Sequence, residues 1–319
     1  MRRLFAALLT LFLASGPAAA AETGDVVVTL KPLHSLVQGV MGDTGEAVLL
    51  VNGIASPHGF SLKPSQIRAL QKASVVFYVD EAMETFLDNA LAALPPRVRR
   101  YAFAEKAGID ILPLREGGAW DAHHHEDVHH HGADHHNGEE QDHAHGEDNL
   151  HVWLAIGNAQ KMVAAIAAEL TQIHPENKAI YAANAAAFEA RLVKLDAALE
   201  QKLAPVRARP FVVFHDAYAY FERAYGLTAV GSITIDPDQP PSARRLQEIR
   251  EKITAAGAVC LFREPQFDDK LVRTVAEGLP IRLGTLDPLG IGLQAGPALY
   301  GTLMTNLASD LVECLAQKG

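Results

Sequence analysis

Cysteine is nearly absent: Cys260 and Cys314 are the only two in 319 residues. They do not form a C-x-x-C pair, so a thioredoxin-type redox motif is excluded. An H-E-x-x-H segment is also missing, which removes the usual zinc-peptidase helix. Beyond the first residues, no run reaches about 18 uninterrupted apolar side chains, the length a membrane-spanning helix needs. Basic residues are in deficit, with 28 Lys and Arg against 38 Asp and Glu. That balance argues against nucleic acid as a partner.

The N-terminus has its own character. Arg2 and Arg3 precede "LFAALLTLFLA" and then "SGPAAAAE". A basic start, a short apolar run and small residues read as a secretory signal peptide, residues 1–21. No cysteine lies near Ala21, so a lipid-anchored N-terminus is not expected. Without Arg2 and Arg3 the chain holds 26 basic against 38 acidic side chains. In an oxidising compartment the isolated cysteine pair is expected to form a disulfide. Closing a loop of this length contributes roughly 4 kcal/mol in the chain-entropy model.

From Asp25 onward, β-rich runs alternate with helical stretches. "DVVVTL", "EAVLLV", "SVVFYV" and "RYAFAE" read as strands of a first lobe. "PFVVF", "TAVGSI", "AVCLF" and "PIRLGTL" read as strands of a second. Alternation of this kind implies mostly parallel sheets covered by helices on both faces. Helices are expected over "KPSQIRALQKA" and "EAMETFLDNALAAL", and over a breaker-free segment starting at Pro175. On that long segment Ile180, Ala183, Ala187, Phe188, Leu192, Leu195 and Leu199 recur at helical spacing. It suits a rigid connector about 40 Å long. The expected fold class is therefore α/β. Two lobes, each with a mostly parallel four-stranded sheet flanked by helices, are joined by a long rigid helix. The N-terminal lobe takes residues 22–173, the connecting helix 174–203 and the C-terminal lobe 204–319.

Histidine dominates the remaining chemistry. Ten of fifteen lie in "AHHHEDVHHHGADHHNGEEQDHAHGED": His123, His124, His125, His129, His130, His131, His135, His136, His143 and His145. Residues 115–149 have almost no apolar side chains and read as a disordered surface loop. Ordering such a loop around each ion costs entropy, so it suits an accessory metal-collecting or sensing role. His58 follows one strand, His215 follows another, and His151 sits where apolar chain resumes. Ligands of open parallel sheets bind outside the carboxyl ends of the strands. Three imidazoles there, with Asp287 after the last strand or a water, make a zinc-type donor set. His34 is expected to be structural, His174 to favour a helix C-terminus, and Glu264 to orient a neighbour rather than ligate.

At these residues the chain resembles the substrate-binding receptors of zinc and manganese ABC importers. The pieces that carry the resemblance are "GIASPHGFSLKPSQIRAL", "HVWLAIGNAQKMV", "FVVFHDAYAYFERAYGL", "LFREPQF" and "TLDPLG". It covers essentially all of the chain beyond the signal peptide. It implies two lobes on a long helix, with His58, His151 and His215 as ligands of a transported Zn²⁺ and Asp287 or water in fourth position. Manganese-type relatives carry glutamate at the position of His215, so this branch implies zinc. The histidine-rich loop and the late cysteine pair fit that branch too. Pro57 departs from those zinc receptors that place a ligating glutamate before the first histidine. The implied partners are an inner-membrane ABC permease and, through the loop, periplasmic zinc chaperones. The chain is expected to be a periplasmic monomer and not an enzyme. A manganese or iron receptor of the same fold and a zinc-dependent hydrolase stay open as alternatives.

Overall fold

The computed structural model describes residues 25–115, 148–234, 237 and 240–317. Residues 1–21 and the ten loop histidines from His123 to His145 fall outside them. The first lobe runs β1 (Val26–Val28), α1 (Lys31–Met41), β2 (Val48–Leu49), α2 (Pro64–Lys72), β3 (Val75–Tyr78), α3 (Asp88–Ala92), β4 (Arg99–Ala102) and α4 (Phe103–Lys106). β5 (Leu112–Pro113) and β6 (Asp148–Asn149) follow, then α5 (Ile156–Ile173) and α6 (Lys178–Leu203). The second lobe runs β7 (Phe211–Val213), α7 (Ala219–Tyr225), β8 (Ala229–Ser232), α8 (Ala243–Ala256), β9 (Cys260–Arg263), α9 (Lys270–Ala276), β10 (Arg282–Thr285) and α10 (Leu299–Leu315).

Each lobe is a four-stranded sheet, ordered β2-β1-β3-β4 in the first and β10-β9-β7-β8 in the second. All pairings within both are parallel. Val26, Val27 and Val28 are wholly buried, as expected for a central strand covered on both faces. One outer core backs the first sheet through Val27, Leu70, Val76 and Leu87. Its counterpart backs the second through Val212, Ile249, Leu261 and Val275. Between the lobes runs one continuous core, in which α1, α5, α6 and α10 pack on one another. The lobes thus share a helical layer.

At about 1.5 Å per residue, the 26 residues of α6 span roughly 39 Å. Its inner face follows the expected apolar stripe from Phe188 onward, through Leu192, Leu195 and Leu199, and departs from it only in the first turns. Tyr181, Phe188, Leu192, Leu199 and Leu203 are buried, whereas Ile180 is 46% exposed. Gly39 sits where any Cβ would collide with the Phe188 ring, so α1 and α6 approach closely. The expected helix over "EAMETFLDNALAAL" is shorter than its pattern, with only Asp88–Ala92 in α form. The disulfide joins Cys260 of β9 to Cys314 of α10 across 6.2 Å between Cα atoms. It pins the last helix to its sheet. No helix among the described residues is long and apolar enough to cross a membrane.

Candidate metal centre

Three histidines from three loops meet between the strand ends. His58 lies between β2 and α2, in a turn where its N–H donates to Ser56 Oγ at 3.2 Å. His151 follows β6, and His215 comes two residues after β7. One nitrogen from each lies within 4.8 Å of the other two. His151 and His215 are 7% and 4% exposed, and their ring centroids are 5.0 Å apart. His58 lies 5.8 Å from both rings and is only partly buried.

The deep pair is held in register from behind. His215 Nδ1 is 2.7 Å from Glu264 Oε1, so Nδ1 carries the proton and donates it. His151 Nδ1 is 3.1 Å from Asn149 Oδ1. The Asn149 amide cannot be turned round, because its Nδ2 donates to the Asp216 carbonyl at 2.7 Å. Its Oδ1 also accepts from His151 N–H at 3.2 Å. His151 therefore donates from Nδ1 as well. Both Nδ1 atoms are thus engaged elsewhere, and the two Nε2 atoms face each other at 3.1 Å. Burial first, then the neighbouring imidazoles of His215 and His58, push His151 well below the usual histidine range. At neutral pH it is a neutral donor, the form a metal needs.

The space between the rings is a cavity of about 10 Å³, bordered by Pro57, Trp153, Gln266, Phe267, Pro288 and Leu289. That is room for about one water-sized particle.

Asp287 does not join the set. Its Oδ1 accepts from Leu289 N–H and Gly290 N–H at 3.1 and 2.9 Å, and Oδ2 from Ile291 N–H at 2.6 Å. These bonds turn the carboxylate onto its own backbone. Among the described residues the only metal-type cluster is His58, His151 and His215. His34 lies inside α1 and bonds the Ala47 carbonyl at 3.0 Å. His174 caps the C-terminus of α5, as expected, and its Nε2 pairs with the Asp25 carboxylate at 2.8 Å. Glu264 orients His215, as expected of it.

Asn149 and Arg115 were assigned to the polar loop by sequence, but both are built into the base of the site. β5 and β6 form an antiparallel ladder that brings Leu112 opposite Asn149. Tyr220 Oη accepts from Leu112 N–H at 2.9 Å and donates to the Asn149 carbonyl at 2.5 Å. Arg115 reaches Asp216 and Glu222 of the second lobe, the latter at 2.8 Å. One signal was readable: an Asn two residues before a histidine is an Asx-turn pattern.

Two parallel lobes on a shared helical layer, with imidazoles meeting between the strand ends, define a substrate-binding protein built on a long connecting helix. Residues 26–314 match the family model described as zinc-uptake complex component A, periplasmic. The chain belongs to this ZnuA family. It is 43% identical to the high-affinity zinc uptake system protein ZnuA of Brucella suis, over 97% of this chain and 98% of the relative. A crystal structure of a ZnuA superposes with a TM-score of 0.76 at 26% identity, covering 92% of this chain and all of the other. A ZnuA deletion mutant with zinc bound superposes with a TM-score of 0.75 at 25% identity, over 93% of this chain.

Proposed function

We propose that the protein is the periplasmic zinc receptor of a high-affinity ABC importer. It binds Zn²⁺ through His58, His151 and His215 and hands it to the membrane permease. The observation that carries this reading is the approach of the His151 and His215 Nε2 atoms to 3.1 Å, while both Nδ1 atoms are turned to other partners. A metal ion between the two nitrogens would accept both lone pairs. Two nitrogens bound to one tetrahedral zinc at about 2.05 Å are about 3.3 Å apart, so the pair is close to the required spacing before the ion arrives. Three nitrogen donors without a carboxylate among them favour zinc over the harder manganese. Asp287 is occupied by its own turn, so the fourth position goes to water.

The ion-sized cavity supports a receptor for a single ion and leaves no room for an ester or peptide. Asp216, beside His215, is held by Arg115 and is not poised as a base. The ten histidines from His123 to His145 act as an accessory collector. In support, the two ends of their segment are tied together by the β5–β6 ladder, and Asn149 at one end bonds His151.

Zinc, manganese and iron(II) in competition on the purified chain, read by metal analysis after dialysis, test the assignment. One tightly held zinc, displaced by neither rival at equal concentration, is expected. Preferential retention of manganese or iron contradicts the metal. Turnover of ester, phosphate or peptide substrates that is lost on chelation contradicts the receptor.

A further inference from the structure

Lys31 is the most unusual buried group outside the histidine cluster. It occupies the first position of α1, where the helix dipole disfavours a cation, and it is 6% exposed. Its ammonium crosses to the other lobe. Nζ donates to the carbonyls of Gly290, Ile291 and Leu293 at 3.3, 2.7 and 2.9 Å. Asp287 grips the same turn from its own side, through the N–H groups of Leu289, Gly290 and Ile291. The lysine takes the acceptors of one short peptide run and the aspartate takes its donors. Their opposite charges also attract through the turn, which offsets part of the burial penalty that lowers the Lys31 pKa.

This turn is the cover of the ion cavity. Pro288 and Leu289 border the space between the imidazoles. Trp153, two residues from His151, adds a third hold by donating Nε1–H to the Pro288 carbonyl at 2.8 Å. Gly290 takes φ +67°, where a side chain would be strained and would meet Leu293. The cover is therefore shaped by its own lobe and fastened by the opposite one.

We infer that Lys31 is a positioning residue for ion retention: it fastens the 288–293 turn over the three-histidine cluster, and Asp287 serves that turn rather than the ion. The inference rests on the zinc-receptor reading of the cluster. Removing the ammonium leaves one buried and two partly buried carbonyls without their donor, and the turn then relaxes toward solvent. The ligands are untouched, so the change falls on the rate of release, where most affinity differences between related complexes lie.

The test uses the full chain and two readouts: stopped-flow release of bound zinc into excess chelator, and the visible absorption of the Co²⁺-loaded protein. Lys31→Met is expected to release zinc about 10-fold faster with an unchanged Co²⁺ spectrum. Lys31→Arg, whose guanidinium can still donate to carbonyls, is expected to restore slow release. Asp287→Asn is expected to speed release by a similar factor, also without a spectral change, and it carries the test if Lys31→Met does not fold. Wild-type release rates in Lys31→Met, or in Asp287→Asn where that variant stands in, overturn the proposal, as does an altered Co²⁺ spectrum in Asp287→Asn. Failure of the underlying reading would show separately, as wild-type affinity in His215→Ala.

Discussion

The two lobes bring the same residue type to the same topological place and use it differently. Glu84 lies in the loop after β3 and is wholly buried. Its carboxylate accepts from Thr29 Oγ1 at 2.6 Å and from the N–H groups of Val79 and Asp80 at 3.1 Å. Glu264 lies directly after β9, is 2% exposed, and turns to the imidazole of His215. One carboxylate ties its own backbone together; the other sets the tautomer of a candidate ligand. Burial is equal, so the identity of the donors decides which of them belongs to the site. The histidines divide in the same way. His151 and His215 are backed by fixed partners and lie deep. His58 rides on a loop whose Ile54 is 70% exposed. The deep pair is the preorganised half of the cluster, and His58 is its more exposed member.

This contrast ranks the consequences of substitution. His151→Ala or His215→Ala removes a preorganised donor and leaves a buried partner unanswered. Zinc affinity should fall about 1,000-fold, beyond the 10–100-fold typical of supporting residues, in a chelator-competition titration. His58→Ala should lower affinity about 100-fold, mostly through faster release. A loss equal to that of His215→Ala would erase the distinction between the two halves. Glu264→Gln keeps the shape but weakens the orienting bond, with about a 10-fold loss.

Glu84→Gln should leave zinc affinity unchanged and alter the pH dependence of stability instead. Burial pushes the Glu84 carboxyl up to about 7 from an ordinary 4.5, against the donors that hold it. A raised folded-state pKa contributes stability that is present below the unfolded value and lost as pH rises through about 7. Between pH 5 and 8 the wild type should lose about 3 kcal/mol more than the variant in urea unfolding. Parallel pH profiles would contradict this.

Much of this was legible in the chain itself. Runs such as "SVVFYV" have the continuous apolar character of doubly covered strands, and all eight strands of the two sheets fall where those runs lie. The convergence of His58, His151 and His215 followed from their shared position after strands. Other features depend on contacts distant in sequence. The helix expected from Glu81 is interrupted because Glu84 folds inward onto Val79 and Asp80. The inner face of α6 was legible from Phe188 to Leu199, but in its first turns Tyr181 rather than Ile180 turns inward, where neighbouring alanines leave little apolar contrast between the sides. Asp287 carries the composition of a ligand, and only the turn that follows it reveals its use. Arg115 and Asn149 were hidden by a polar neighbourhood, although partners in the second lobe make them part of the site.

The central claim is that three ordered histidines, and not the histidine-rich segment, form the tight zinc site. Its most direct test is a zinc titration against a chromophoric chelator, comparing the chain with a variant lacking residues 121–147. One tight site retained in the variant, with only weaker sites lost, is the predicted result. Loss of the tight site together with the segment would contradict the account.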